Sequence, residues 1–171
     1  VDGERLNNAR IATYGCPNCT MRCGITIHDD EGRESELDYE NVGLLGPNLE
    51  IFDLPQLGSL NYLCDDYGID TMSGGCVLSF YADAIDQGAT TGDYRFGDAA
   101  GSKKLLGMIA RREGEIGNLL AEGSLRAARK FGHGSEAYAM QVKGLVVAAY
   151  KCKFIPGMAL AAWGANTLIE A

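Results

Sequence analysis

Three of the chain's six cysteines fall inside eight residues, in the run Gly15–Gly24 (GCPNCTMRCG). Cys16, Cys19 and Cys23 form a C-x2-C-x3-C spacing. Offsets of three and four let successive thiolates turn toward one centre when the backbone curls. Soft thiolates select iron–sulfur clusters, zinc or copper over magnesium or calcium. Gly15 and Gly24 bracket the run, and Pro17 fixes one torsion inside it. Three local ligands leave a four-iron cluster one short, so a fourth has to come from elsewhere. Two other chemistries fit the same spacing. His28, five residues after Cys23, completes a Cys3His zinc set, and in an oxidising compartment the thiols are disulfide partners. Local sequence does not choose among the three.

The elements that must carry such a centre come from 171 residues, enough for one domain with its own core and hardly for two. Hydrophobic residues make up 46% and charged ones 22%, a globular balance that excludes a disordered chain. A net charge of −8, with the basic residues scattered, argues against a nucleic-acid surface. No uninterrupted apolar window of about 18 residues occurs, so no membrane span is expected. The opening VDGERLNNAR lacks the charged-then-apolar order of a secretory signal, and a cytoplasmic, reducing location is the expectation. With no initiator methionine and a polar start at Val1, the chain reads as one piece of something longer.

Residues 1–15 read as a lead-in. Ile25–Ile27 alternates briefly, the charged run 29–41 forms a surface loop or hairpin, and Tyr39–Leu45 is a short extended piece before the turn at Gly46–Pro47–Asn48. Helices then dominate. Asp53 caps a helix over Leu54–Tyr67, with Pro55 in its first turn and Gly68 stopping it. Thr71 or Ser73 caps a second, ending near Gln87, with Val77, Phe80, Tyr81, Ala84 and Ile85 on one face. Asp98 opens a third to about Glu113, and a fourth runs from about Gly117 to Phe131. A short helix covers Ser135–Met140, Gln141–Val147 is extended, and Pro156 opens a last helical stretch over Gly157–Ala171. The fold class is therefore all-α: one multi-helical domain over residues 1–171 with little or no sheet. Its cysteine-bearing loop region is 15–48 and its helical core is 53–140.

Several stretches in one order resemble the tungsten-containing aldehyde:ferredoxin oxidoreductases, specifically their helical second domain. They are GCPNCTMRCG (15–24), LDYENVGLLGPN (37–48), NYLCDDYGIDTMSGG (61–75) and FGD (96–98). GNLLAEGSLRAARKFG (117–132), GSEAYAMQVKGL (134–145) and PGMALA (156–161) continue the match over nearly the whole chain. C-x2-C-x3-C followed by Tyr-Glu-Asn and then D-x-x-G-I-D is a specific combination.

The resemblance implies a site. Enzymes of this family bind tungsten through two pterins beside a [4Fe–4S] cluster, oxidise an aldehyde to a carboxylate and pass the electrons to ferredoxin. By position, Cys16, Cys19 and Cys23 match three cluster ligands, and Glu40 matches a glutamate beside the metal. Asp65, Gly68, Ile69 and Asp70 match one of two pterin-holding segments. A carboxylate beside a metal-bound oxygen moves the proton that aldehyde oxidation sheds, which suits Glu40. Acids flanking a glycine at a helix end accept hydrogen bonds from pterin amines, which suits Asp65 and Asp70. Tungsten is expected over molybdenum. The β-rich base domain, the fourth cluster cysteine and the second pterin segment have no counterpart here, and the tail ALAAWGANTLIEA leaves the family pattern. Further chains are expected to supply those parts, and the isolated chain is expected to be inactive. The rival expectation is a small structural Cys3His zinc or interaction module.

Other polar residues have plainer readings. Cys64 and Cys76 fall on apolar helix faces and read as small buried hydrophobes. His28 and His133 read as surface residues, Trp163 as packing, and Cys152, between two lysines, as a thiol of lowered pKa.

Overall fold

The computed structural model describes residues 3–149. In chain order they form α1 (Gly3–Ala9), β1 (Ala12–Tyr14), β2 (Gly24–His28), β3 (Glu34–Leu37), α2 (Tyr39–Leu45), α3 (Leu54–Tyr67) and α4 (Thr71–Asp86). There follow α5 (Ala99–Arg111), α6 (Gly114–Leu120), α7 (Ser124–Phe131), β4 (Gln141–Val142) and β5 (Leu145–Val146), with short 3-10 turns at Pro47–Leu49 and Ser135–Ala137. The expected helix over Gly157–Ala171, with Cys152 and Trp163, lies outside the described residues.

Helix α3 is the centre of the packing, and its limits are those its own residues dictate. The Asp53 carboxylate accepts the Gln56 N–H, Pro55 sits in the first turn, and Gly68 closes the helix in the left-handed region at φ 66°. Leu57, Leu60 and Cys64 are fully buried along one side, meeting Leu78 of α4, Leu106 of α5 and Leu120 of α6 in one core. Asp98 caps α5 through the Gly101 N–H, again as its sequence predicts.

The expectation of little or no sheet needs correcting. β1, β2 and β3 make an antiparallel three-stranded sheet in sequence order. Its buried positions Ile27 and Leu37 press on α3; β3 alternates exposed and buried, the period-two pattern of a half-buried strand, whereas in β2 Thr26 is buried as well as Ile27. The extended segment at its other end is a hairpin, β4–β5, turned by Lys143 and Gly144 at φ 54° and 87°.

Five further expectations also change. Tyr39–Leu45 is not extended but helical, because the Asp38 carboxylate accepts the N–H groups of Glu40 and Asn41 and nucleates the turn. Helix α4 is capped by Asp70, through the Ser73 N–H, rather than by Thr71 or Ser73. The stretch 117–131 is two helices, since Gly123 at φ 87° breaks the chain between α6 and α7. The lead-in holds α1, and the helix at Ser135–Met140 shrinks to one 3-10 turn.

Two features pin the site-bearing elements. A Cβ on Gly75 would lie 2.5 Å from the Leu44 carbonyl oxygen, so α2 and α4 touch backbone to backbone. At the β2–β3 turn, buried Asp29 accepts from Arg33 Nε at 2.8 Å and from Ser59 Oγ at 3.1 Å, and Asp30 pairs with Lys103 Nζ at 2.7 Å. The Arg33 guanidinium lies 4.1 Å above the Tyr62 ring. The hairpin is thereby fastened to α3 and α5.

Candidate cofactor site

Gly15–Cys23 is the loop joining β1 to β2, closed by the pair Tyr14 and Gly24. The Cys19 N–H donates to the Cys16 carbonyl at 3.0 Å, so these two residues end one tight turn. Asn18 and Arg22, immediately before Cys19 and Cys23, are both left-handed at φ 64° and 46°. All three cysteines are free and exposed. Their donor chemistry fits a thiolate-bound centre missing one ligand, although no three such donors are gathered as a metal site among the described residues. His28 sits at the opposite end of β2, paired with Glu34. At about 3.3 Å per residue, roughly 13 Å of strand separates Gly24 from His28, which removes it from a Cys3His set.

Glu40 lies in the first turn of α2, half-buried. Its Oε2 accepts the Ala149 N–H at 2.8 Å, and the neighbouring Tyr39 hydroxyl donates to the Ala149 carbonyl. Burial, then the Asp38 charge, raises the carboxyl above its ordinary range despite the Ala149 bond. Such a shift brings a carboxyl nearer the pH at which it can take and return a proton.

Asp65 lies in the last turn of α3. Burial of part of its carboxylate, then the Glu36 charge, raises it above the ordinary range. Asp70 is not at a helix C-terminus; one of its oxygens accepts the Ser73 N–H as the cap of α4. Its charge therefore favours the α4 dipole, whereas Asp65 and Asp66 oppose that of α3. Between them, the Gly68 N–H bonds to the Asp65 and Cys64 carbonyls and the Ile69 N–H to Cys64 O at 2.8 Å. A Cβ at Gly68 would meet nothing within 4 Å, so this corner is open to an approaching group.

Residues that sequence reasoning missed join these parts. Asn61, fully buried, donates through Nδ2 to Asp65 Oδ2 at 3.0 Å, Glu36 O at 2.9 Å and Ser35 Oγ at 3.2 Å. Its Oδ1 accepts from Asn41 Nδ2 at 2.6 Å, and Asn41 Oδ1 accepts from the Thr71 hydroxyl at 2.9 Å. One amide network thus links α2 beside Glu40, β3, α3 at Asp65 and the start of α4. Tyr14 sits at the base of the cysteine loop, and its phenol is pushed up to about 12 by burial and by the nearby Asp38, Glu36, Cys23 and Asp65. The only sequence signal for Asn61 was a polar residue inside the apolar stripe of α3, four before Asp65.

The amide network joins Asp65 to the Glu40-bearing turn, and one Asp70 oxygen is engaged as a cap. A protein-family model described as "Aldehyde ferredoxin oxidoreductase, domains 2 & 3" matches residues 1–167. Among curated proteins, an "Aliphatic sulfonate oxidoreductase, WOR-like subunit" of Pyrococcus furiosus is 37% identical over 81% of this chain and 24% of its own length. A "Tungsten-containing aldehyde ferredoxin oxidoreductase" of the same organism is 35% identical over 86% of the chain and 26% of its own. The corresponding protein of Thermococcus kodakarensis is 33% identical over the same shares. The chain thus spans about a quarter of the length of these relatives. Of solved structures, the "Active site complex BamBC of Benzoyl Coenzyme A reductase in complex with 1,5 Dienoyl-CoA" aligns with TM-score 0.72 and 26% identity, over 86% of this chain and 23% of that one.

Proposed function

Because the chain belongs to the aldehyde ferredoxin oxidoreductase family, we propose that it is the cluster-bearing portion of a tungsten–pterin oxidoreductase acting on aldehydes. The observation that carries this reading is the amide network of Asn41 and Asn61. It joins the segments bearing Glu40 and Asp65, which supports their acting on one bound group.

The roles follow from the residues. A bound tungsten–pterin supplies the oxidation of the aldehyde carbon to a carboxylate. Glu40, held by the Ala149 N–H, takes up a proton released in that oxidation and returns it to solvent. Asp65, steadied by Asn61, accepts hydrogen bonds from pterin amines beside the open corner at Gly68. Asp70 has one oxygen committed to capping and offers the other. Cys16, Cys19 and Cys23 would hold a [4Fe–4S] cluster with a fourth ligand from outside residues 1–171, and such a cluster would supply electron transfer toward ferredoxin. Further domains or chains complete the second pterin segment, so residues 1–171 alone neither retain tungsten nor turn over aldehyde. The net charge of −8 argues against a nucleic-acid partner.

Among the described residues no helix is long and apolar enough to cross a membrane.

Metal analysis of the anaerobically purified full chain tests the reading. About four irons per chain, with a brown colour lost in Cys19→Ser, is the expected result. Zinc without iron, bound in a Cys19-dependent way, overturns it in favour of a structural site.

A further inference from the structure

Glu40 shares its backbone partner with the residue before it. Its Oε2 accepts the Ala149 N–H at 2.8 Å, and the Ala149 carbonyl accepts the hydroxyl of Tyr39. Two consecutive side chains in the first turn of α2 therefore grip one residue by both of its backbone groups. Gly43 completes the seat. It lies four residues after Tyr39, on the same side of the helix, and a Cβ there would lie 2.7 Å from the Ala149 Cβ. A side chain at 43 would thus push Ala149 away from α2.

The segment is tied from the other side as well. Residues 147–149 follow β5 directly, and the Val147 carbonyl accepts the Cys76 thiol of α4 at 3.6 Å. This strap is anchored on α4 at its start and on α2 at its end. The titratable groups that act on one another here are Glu40, Asp38 at the cap of α2, and Cys76 of α4, whose thiol burial pushes up to about 12. Burial and Asp38 both disfavour the charged Glu40 carboxyl, whereas the Ala149 N–H favours it. The ring of Tyr39 is 51% exposed, so removing its hydroxyl leaves the core intact.

We propose that Tyr39 is a positioning residue for Glu40: by holding the Ala149 carbonyl it keeps the Ala149 N–H on Glu40 Oε2 and fixes the orientation of that carboxyl. With Oε2 committed to the strap, Oε1 is the oxygen that takes up and returns the proton. The inference rests on the reading of Glu40 as the proton carrier.

Carbon-13 titration of the Glu40 carboxyl in the full chain tests it, the signal being assigned by its absence in Glu40→Gln, together with amide exchange at Ala149. In Tyr39→Phe the Glu40 midpoint is expected to rise by about 0.5, because loosening a bond to the charged form favours the neutral one. The Ala149 amide is expected to exchange about 3–10-fold faster, the effect of one hydrogen bond, and Glu40→Ala should speed it by a similar factor. A merely structural role for Tyr39 would lower the melting transition and leave the Glu40 midpoint at its wild-type value. An unmoved midpoint in Tyr39→Phe, or an Ala149 amide no faster in Glu40→Ala, overturns the proposal. The two readings fail separately: zinc in place of iron removes the aldehyde chemistry but not the grip on Ala149, and an unmoved Glu40 midpoint removes the grip but not the iron.

Discussion

Asn61→Ala isolates the contribution of the amide network. The substitution deletes the bond from Asn41 Nδ2 at 2.6 Å and the bonds to Glu36 O at 2.9 Å and Asp65 Oδ2 at 3.0 Å. Each is worth about 1 kcal/mol net, and the one to a carboxylate about 2 kcal/mol. The sum is about 4 kcal/mol, a large share of the roughly 5–15 kcal/mol that holds a domain of this kind folded. Urea unfolding followed by circular dichroism is the assay. With a slope of about 2 kcal/mol per molar, the midpoint should fall by about 2 M with the slope unchanged. Asn41→Ala should cost less, and the double variant should cost less than the sum of the two by about 1–2 kcal/mol, because both remove the same bond. A midpoint shift worth under about 1 kcal/mol, or strict additivity, would show that the buried amide is solvated and that α2, α3 and β3 are not joined through it.

Three more outcomes are open to measurement. Gly75→Ala should destabilise by about 1–3 kcal/mol in thermal unfolding despite alanine's helix propensity, since its Cβ meets the Leu44 carbonyl at 2.5 Å; a stabilised variant would mean α2 can retreat. Asp98→Ala should cost about 1 kcal/mol through loss of the bond to the Gly101 N–H, and Asp98→Asn should restore most of it in the same assay. Glu40 is raised in the folded protein, so above the unfolded-state value near about 4.3 its ionisation opposes folding, and protonation relieves that opposition as pH falls. Glu40→Gln should therefore raise the melting temperature at pH 7 and lose that advantage toward about pH 4, whereas a constant difference across the range would deny the shift.

Much of the framework was legible because local chemistry and tertiary packing agree. α3 has the limits read for it, since Asp53, Pro55 and Gly68 each act where sequence puts them. α2 was misread because Tyr39 and Val42 favour strand, while the deciding cap, Asp38, was hidden among other acids. α6 and α7 merged because an apolar period spans Gly123, whose left-handed backbone nevertheless breaks the helix. In the candidate site the cysteine spacing and the Asp65–Asp70 segment were recognisable. Asn61 was not, because what makes it matter is contact with β3 and α2, 20 and more residues away in the chain.

The β2–β3 hairpin is held like a cantilever. Its turn is clamped by Asp29, Arg33, Ser59 and Lys103, while the opposite end carries the exposed Gly15–Cys23 loop. Amide exchange should accordingly run as a gradient, slow near Ile27 and fast from Cys16 to Cys23. The thiols are thus reachable from outside after the core has closed, so loading a thiolate-bound centre there would not require the fold to be undone.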